Sequence, residues 1–239
     1  MCGRFTQSFT WAEIVELYNL LDEIAPGLSF APSYNVAPTH NAGVIVSDEG
    51  GLRFQAMRWG LVPFWAKDPS IGSKLINARS DTLAVKPAFR NALKSRRSIV
   101  PVSGFYEWQK QGKGKQPFLI ADAGGKPLTL AGLWECWNDL LTFTIITVPA
   151  NESLSTLHDR MPAILSGKSA VEWLNTGDLD LLQPSTQSLA IWPVSSRVNS
   201  PANNDVRLTE DISAGSSRPA ADSAGNQGGN KTGQLALAL

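Results

Sequence analysis

The chain opens Met1-Cys2-Gly3-Arg4-Phe5. A small residue after the initiator methionine normally lets that methionine be trimmed. Cys2 would then carry a free α-amine and a thiol on adjacent carbons. Their reference pKa values, about 7.7–8.0 and about 8.5, leave both nucleophiles partly available near neutral pH. A 1,2-aminothiol can attack one carbonyl carbon twice, first through nitrogen and then through sulfur; the plainer alternative is that position 2 is merely small. Three further stretches carry groups suited to proton transfer or anion binding. In "GFYEWQ", Glu107 shares a strand face with Phe105, while Tyr106 and Trp108 take the other. Such a carboxylate is either partly desolvated and suited to moving protons or a solvent-facing strand residue. His158, one of two histidines, sits in "TLHDRMP" between a short helix and a Met-Pro break, beside Asp159 and Arg160. It reads as a proton carrier near neutral pH or as a surface residue at a helix end. Asn77 and Arg79, two apart in "LINARSDT", project to one side of an extended chain. One could hold an oxygen and the other a phosphate, or both could belong to an ordinary loop. In "RWGLVPFWA", Trp65 could stack on an unpaired base, whereas Trp59 reads as core.

These side chains need a framework, and the hydrophobic pattern supplies one. Thr10-Trp-Ala-Glu13 is a capping box opening an amphipathic helix through Leu21. "AGVIVS" and "LRFQAMRWG" read as strands joined by "DEGG". "RSIVPV", "GFYEWQK" and "QPFLIAD" continue the series, with "QGKGK" and "AGGKP" as turns. "LTLAGLWECW" and "LTFTIITVP" flank Asn138-Asp139. "NESLSTLH" is a short helix capped by Asn151, "GKSAVEWL" another helix, and "LAIWPVS" a last strand. Hairpin-linked strands with intervening helices predict an antiparallel-rich α+β domain; the expected fold is one domain over residues 1–211 with a barrel-like sheet flanked by helices. Residues 212–239 turn Gly/Ser/Ala/Asn-rich without periodicity and end in "LALAL", which predicts a disordered tail.

The 239 residues are enough to bury a sizeable core. Two cysteines, Cys2 and Cys136, make no disulfide framework and point to a reducing cytoplasm. No basic-then-apolar leader and no membrane-length apolar run is present, so no membrane association is expected. The net charge is zero, yet residues 53–115 hold 13 Lys or Arg against Asp68, Asp81 and Glu107, a local excess of +10. Such a segment is either an electrostatic footprint for phosphate or a scatter of solvated charges paired elsewhere. Cys2, Cys136, His40 and His158 show no metal-ligand spacing, and no phosphate-loop or dinucleotide motif occurs, so neither metal nor cofactor is expected.

Taken in order, "MCGRF", "YNVAPT", "RWGLVPFWA", "INARSDT", "GFYEWQ", "AGLWE", "TIIT" and "LHDRMPAIL" resemble the SOS response-associated peptidase family, also called abasic-site processing proteins. Each motif alone is weak, but their joint order is specific and spans Cys2 to about Leu208. The resemblance implies a DNA damage response protein of the SOS response, which crosslinks abasic sites in single-stranded DNA. The α-amine of Cys2, after Met1 removal, would form a Schiff base with the sugar aldehyde, and the thiol would close a thiazolidine that shields the lesion. It further implies that Glu107 relays protons, that His158 assists at the Schiff-base stage and in reversal, and that Asn77 positions the N-terminus and a sugar oxygen. Arg4, Arg79 and Arg160 match phosphate-binding arginines, and Trp65, with Pro38 nearby, would wedge or stack against flanking bases. Lyase-type activity and peptidase-like autoprocessing also follow from the resemblance. A monomer is expected, in the cytoplasm that the cysteine usage suggests and at the nucleoid when DNA is damaged. Two departures stand out: Asp81 where relatives often have Glu, and His40 where a smaller residue is frequent. An N-terminal-cysteine amidohydrolase, whose Cys2 would cleave an amide, is the alternative, and a non-catalytic single-strand binder is a third reading.

Overall fold

Asn138 and Asp139 fix the first piece of architecture. Both have positive φ, 47° and 65°, as a two-residue type I′ turn requires. That turn matches the right-handed twist of the two long strands it joins. The computed structural model describes residues 2–18, 20, 31–49 and 51–213. In chain order the elements are β1 (Phe5–Gln7), α1 (Trp11–Tyr18), β2 (Ser33–Val36), β3 (Asn41–Asp48), β4 (Gly51–Trp59), β5 (Asn77–Arg79), α2 (Arg90–Ser95), β6 (Arg97–Val102), β7 (Gly104–Gln111), β8 (Gly114–Asp122), β9 (Leu128–Trp137), β10 (Leu140–Pro149), α3 (Glu152–Ser155), β11 (Arg160–Pro162), β12 (Ile164–Leu165), α4 (Gly167–Thr176) and β13 (Leu189–Pro193).

Five strands close on themselves in the order β10-β4-β3-β6-β9 and back to β10. Four of these pairings are antiparallel; the closing one, β4 with β10, is parallel and sets Phe143 beside Trp59. A second, wholly antiparallel sheet has the order β13-β8-β7-β1-β2. The α+β class, the antiparallel-rich barrel and the flanking helices are thus as the sequence predicts. The expected capping box is present, with the Thr10 amide donating to Glu13 Oε2 at 2.6 Å and the Glu13 amide to Thr10 Oγ1 at 3.3 Å. Asn151 accepts from the Leu154 amide at 3.1 Å and caps α3. The predicted tail falls, from residue 214 onward, outside the described residues.

The main core lies between barrel and sheet. Trp59 is fully buried, stacked on Phe143 with centroids 6.3 Å apart and tilted against Phe5 at 4.9 Å. Aromatic pairs of this kind contribute about 0.5–1.5 kcal/mol each beyond their area. A smaller core on the outer face of the second sheet gathers Tyr106, Leu119, Val194, Val198 and Leu208.

Between β4 and β5 the chain folds back on the barrel rim. Gly60 has φ 119°, and a Cβ there would lie 2.6 Å from the Gly72 carbonyl oxygen. A Cβ on Gly72 would meet the Gly60 oxygen at 2.5 Å. Only glycine permits this crossing. It carries the chain past Trp65 and into β5, which adds to β10 as a parallel strand.

Candidate functional site

Strand β10 is the ruler of the site. One of its edges pairs with β9 and then β11, the other with β4 and then β5. The register sets Asn77 beside Ile145, Arg79 beside Thr147 and Arg160 beside Pro149. Ala78 is buried, so Asn77 and Arg79 face the other way together, as their spacing predicts.

Cys2 reaches this place by way of β1. Phe5 pairs with Phe105, and the Tyr106 amide donates to the Arg4 carbonyl at 2.9 Å. Carried on two residues, that register brings Gly3 level with Glu107. Cys2 is fully buried and Glu107 is 4% exposed. Burial pushes the Cys2 thiol well above its ordinary pKa, and the negative charge of Glu107 adds to the shift. From the other side, Asn77 Nδ2 donates to the Cys2 carbonyl at 2.8 Å. Asn77 Oδ1 is buried without a partner. Three of the four residues singled out for catalysis, Cys2, Asn77 and Glu107, therefore converge on one buried point. Phe105 lies in the main core while Tyr106 and Trp108 belong to the smaller one, so strand alternation does turn Glu107 inward.

His158 stands beyond α3, its side chain one-third exposed. Its Nδ1 is 2.7 Å from Asp159 Oδ1 and 3.0 Å from the Arg160 amide nitrogen. One nitrogen serves one of these at a time: protonated it donates to the carboxylate, unprotonated it accepts the amide.

The three arginines expected at phosphate differ in setting. Arg79 is exposed and forms a two-point ion pair with Asp81, Nη2 to Oδ2 at 2.7 Å and Nε to Oδ1 at 3.1 Å. Arg160 is buried; its Nη2 donates to the Thr147 carbonyl, and burial, with Arg79 nearby, lowers its pKa. Arg4 is half-buried, with Nη1 donating to Asn35 Oδ1 and to the Val198 carbonyl, both at 2.7 Å. Arg4 and Arg160 thus each hold protein oxygens, whereas the Arg79 guanidinium stands exposed at Asp81.

Trp65 is 48% exposed next to Phe64 at 55%, on a loop pinned by Trp137 Nε1 donating to the Ala66 carbonyl at 2.7 Å. Pro38 is half-buried, one residue before Thr39. Part of the local +10 is consumed internally: Arg53 pairs with Asp48 at 2.7 Å and Arg96 with Glu135 at 2.9 Å, while Arg97 caps the carbonyls of Leu93, Lys94, Leu174 and Asn175. Lys67, Lys74, Lys86, Arg90 and Lys94 stay exposed.

Cys2 buried beside the carboxylate of Glu107, next to a barrel with one parallel closure, defines a recognisable class. The family profile described as SOS response associated peptidase matches residues 1–201, and the chain belongs to that family. A Bacillus subtilis protein named abasic site processing protein YoqW is 44% identical over 223 residues, covering 88% of this chain and 99% of the relative. A Gallus gallus protein named abasic site processing protein HMCES is 38% identical over 218 residues, covering 73% of this chain and 65% of that longer relative. A crystal structure of a Bacteroides thetaiotaomicron protein superposes with a TM-score of 0.77 at 27% identity, covering 88% of this chain and 99% of that one.

Proposed function

We propose that this protein processes abasic sites in single-stranded DNA by bonding to them through Cys2 once Met1 has been removed. The observation that carries the reading is the convergence of Cys2, Asn77 and Glu107 at one buried point, in a family whose relatives bear the name abasic site processing protein.

The chemistry proceeds from these residues. The α-amine nitrogen of Cys2 adds to the aldehyde carbon of the ring-opened sugar. Glu107 relays two protons in turn from nitrogen to oxygen, the first giving the carbinolamine and the second releasing the oxygen as water and leaving the imine. The thiol sulfur then adds to the imine carbon, and its proton passes to the nitrogen. Aldehyde and aminothiol become a thiazolidine and one water. Burial keeps the thiol protonated, so the amine attacks first and sulfur follows. Asn77 Nδ2 fixes the Cys2 carbonyl, and its unpartnered Oδ1 suits the newly freed amine or a sugar hydroxyl. His158, one-third exposed, exchanges protons with solvent during imine formation and reversal. Trp65 offers a stacking face, and Arg79 with the exposed lysines offers charge for the backbone, contacts that bind without reading sequence. The protein acts as a monomer in the compartment that holds its DNA.

The test mixes the purified, Met1-trimmed protein with single-stranded DNA carrying one abasic site, followed by denaturing electrophoresis and intact-mass measurement. A band that survives denaturation, at the summed mass less one water, absent with intact DNA and with Cys2→Ala, is the expected result. No adduct from correctly trimmed protein overturns the reading. Ammonia release from glutamine would favour the amidohydrolase instead.

A further inference from the structure

The turn between β2 and β3 holds a conformation that its sequence resists. Thr39 has φ 74°, a left-handed backbone that a β-branched residue rarely takes. Four hydrogen bonds impose it. The Thr39 amide donates to the Trp59 carbonyl at 2.8 Å, and the Trp59 amide to the His40 carbonyl at 2.9 Å. The His40 amide donates to the Ala37 carbonyl at 3.0 Å, and the Ala37 amide to His40 Nδ1 at 3.4 Å. The turn is thereby strapped to Trp59, whose own Nε1 is bonded to the Ile76 carbonyl, one residue before Asn77.

Its location follows from register. Val36 pairs with Phe5, so two residues further on Pro38 comes level with Gly3, on the side of β1 opposite Glu107. The strained turn therefore borders the N-terminal end of β1 at Cys2. The His40 side chain is exposed there. Because Nδ1 accepts the Ala37 amide, the ring proton sits on Nε2, the nitrogen left for an outside partner.

We infer that His40 is a DNA-binding residue: its Nε2–H donates a hydrogen bond to a phosphate oxygen of the strand entering beside Cys2, and the strained Thr39 turn exists to aim it. The inference deepens the proposed function and rests on it. A donor to a charged oxygen is of the stronger kind, and its loss typically costs about tenfold in affinity.

The test uses the whole chain and an abasic analogue without an aldehyde, so that binding is read apart from bonding. His40→Ala and His40→Phe are expected to weaken binding about tenfold, the second while keeping a flat ring. His40→Gln, which restores an amide donor, is expected to stay within about threefold of wild type. With a reactive abasic site at limiting DNA, His40→Ala and His40→Phe should crosslink more slowly in proportion to their weaker binding, and His40→Gln should stay near wild type. Wild-type affinity in all three variants overturns the inference, as does a loss in His40→Gln equal to that in His40→Ala, which would make the role one of turn structure. Failure of the wild type itself to bind and crosslink is separate, and defeats the underlying function.

Discussion

Raising the pH should loosen this protein through one atom. In the chain with Met1 attached, the Cys2 sulfur is fully buried, and burial together with Glu107 keeps it protonated well into the alkaline range. In the unfolded chain the same thiol ionises near its ordinary pKa of about 8.5. Above that value the unfolded state binds fewer protons than the folded one, so stability falls as pH rises. The loss approaches about 1.4 kcal/mol per pH unit, or about 2 kcal/mol between pH 8 and pH 10. Tyr18, its pKa pushed up to about 12 by burial, and Tyr106, raised likewise, add a further alkaline loss. That loss is common to wild type and Cys2→Ser, so the difference between the two proteins isolates the thiol. Urea unfolding of both at pH 8 and pH 10 measures it, with thiolate absorbance of the native protein as a direct check. Equal alkaline losses in the two proteins, or a native thiol that titrates near its ordinary value, would refute the claim that the nucleophile is stored neutral.

Asn77→Ala removes the 2.8 Å bond to the Cys2 carbonyl; at about 1 kcal/mol for such a bond, crosslinking at saturating DNA should slow about fivefold, measured by quenched time points. Trp65→Ala should weaken single-strand binding by about 1–3 kcal/mol, read by anisotropy, and leave the melting temperature unchanged because the ring is half exposed. Glu135→Ala strips the partner from Arg96 at a carboxylate 4% exposed and should cost about 2–3 kcal/mol in the urea midpoint. Thr39→Gly should relieve the left-handed turn and raise stability by about 0.5–1 kcal/mol, seen as a higher thermal midpoint.

What the sequence discloses is local. Each long strand was legible because its alternation and its turn residues agree: Asn138-Asp139 calls for a tight hairpin, and β9 and β10 flank it. Glu107 was legible as an inward carboxylate because strand period alone puts it with Phe105. The parallel closure of β4 on β10, and the docking of the three-residue β5 beside it, were not, since both depend on pairings more than sixty residues apart. Without that closure nothing in "LINARSDT" says that Asn77 meets Cys2. The arginines mislead in the same way. Charge counted along the chain does not reveal that Arg96 faces Glu135 or that Arg97 is spent on helix carbonyls. The burial of Cys2 was hidden too, because it depends on Asn77 and on the two strands that flank β1, not on its neighbours in sequence.

Those two flanking strands also set a clock. β2 and β7 pair with the two edges of β1, and β7 begins at Gly104. On the ribosome, at about 5–20 residues per second, Glu107 is made roughly 5–20 s after Cys2. Until then the start of the chain is an open end that a methionine-removing enzyme can grip; in the folded chain Cys2 is fully buried. On the proposed chemistry, arming Cys2 is therefore a race between trimming and translation.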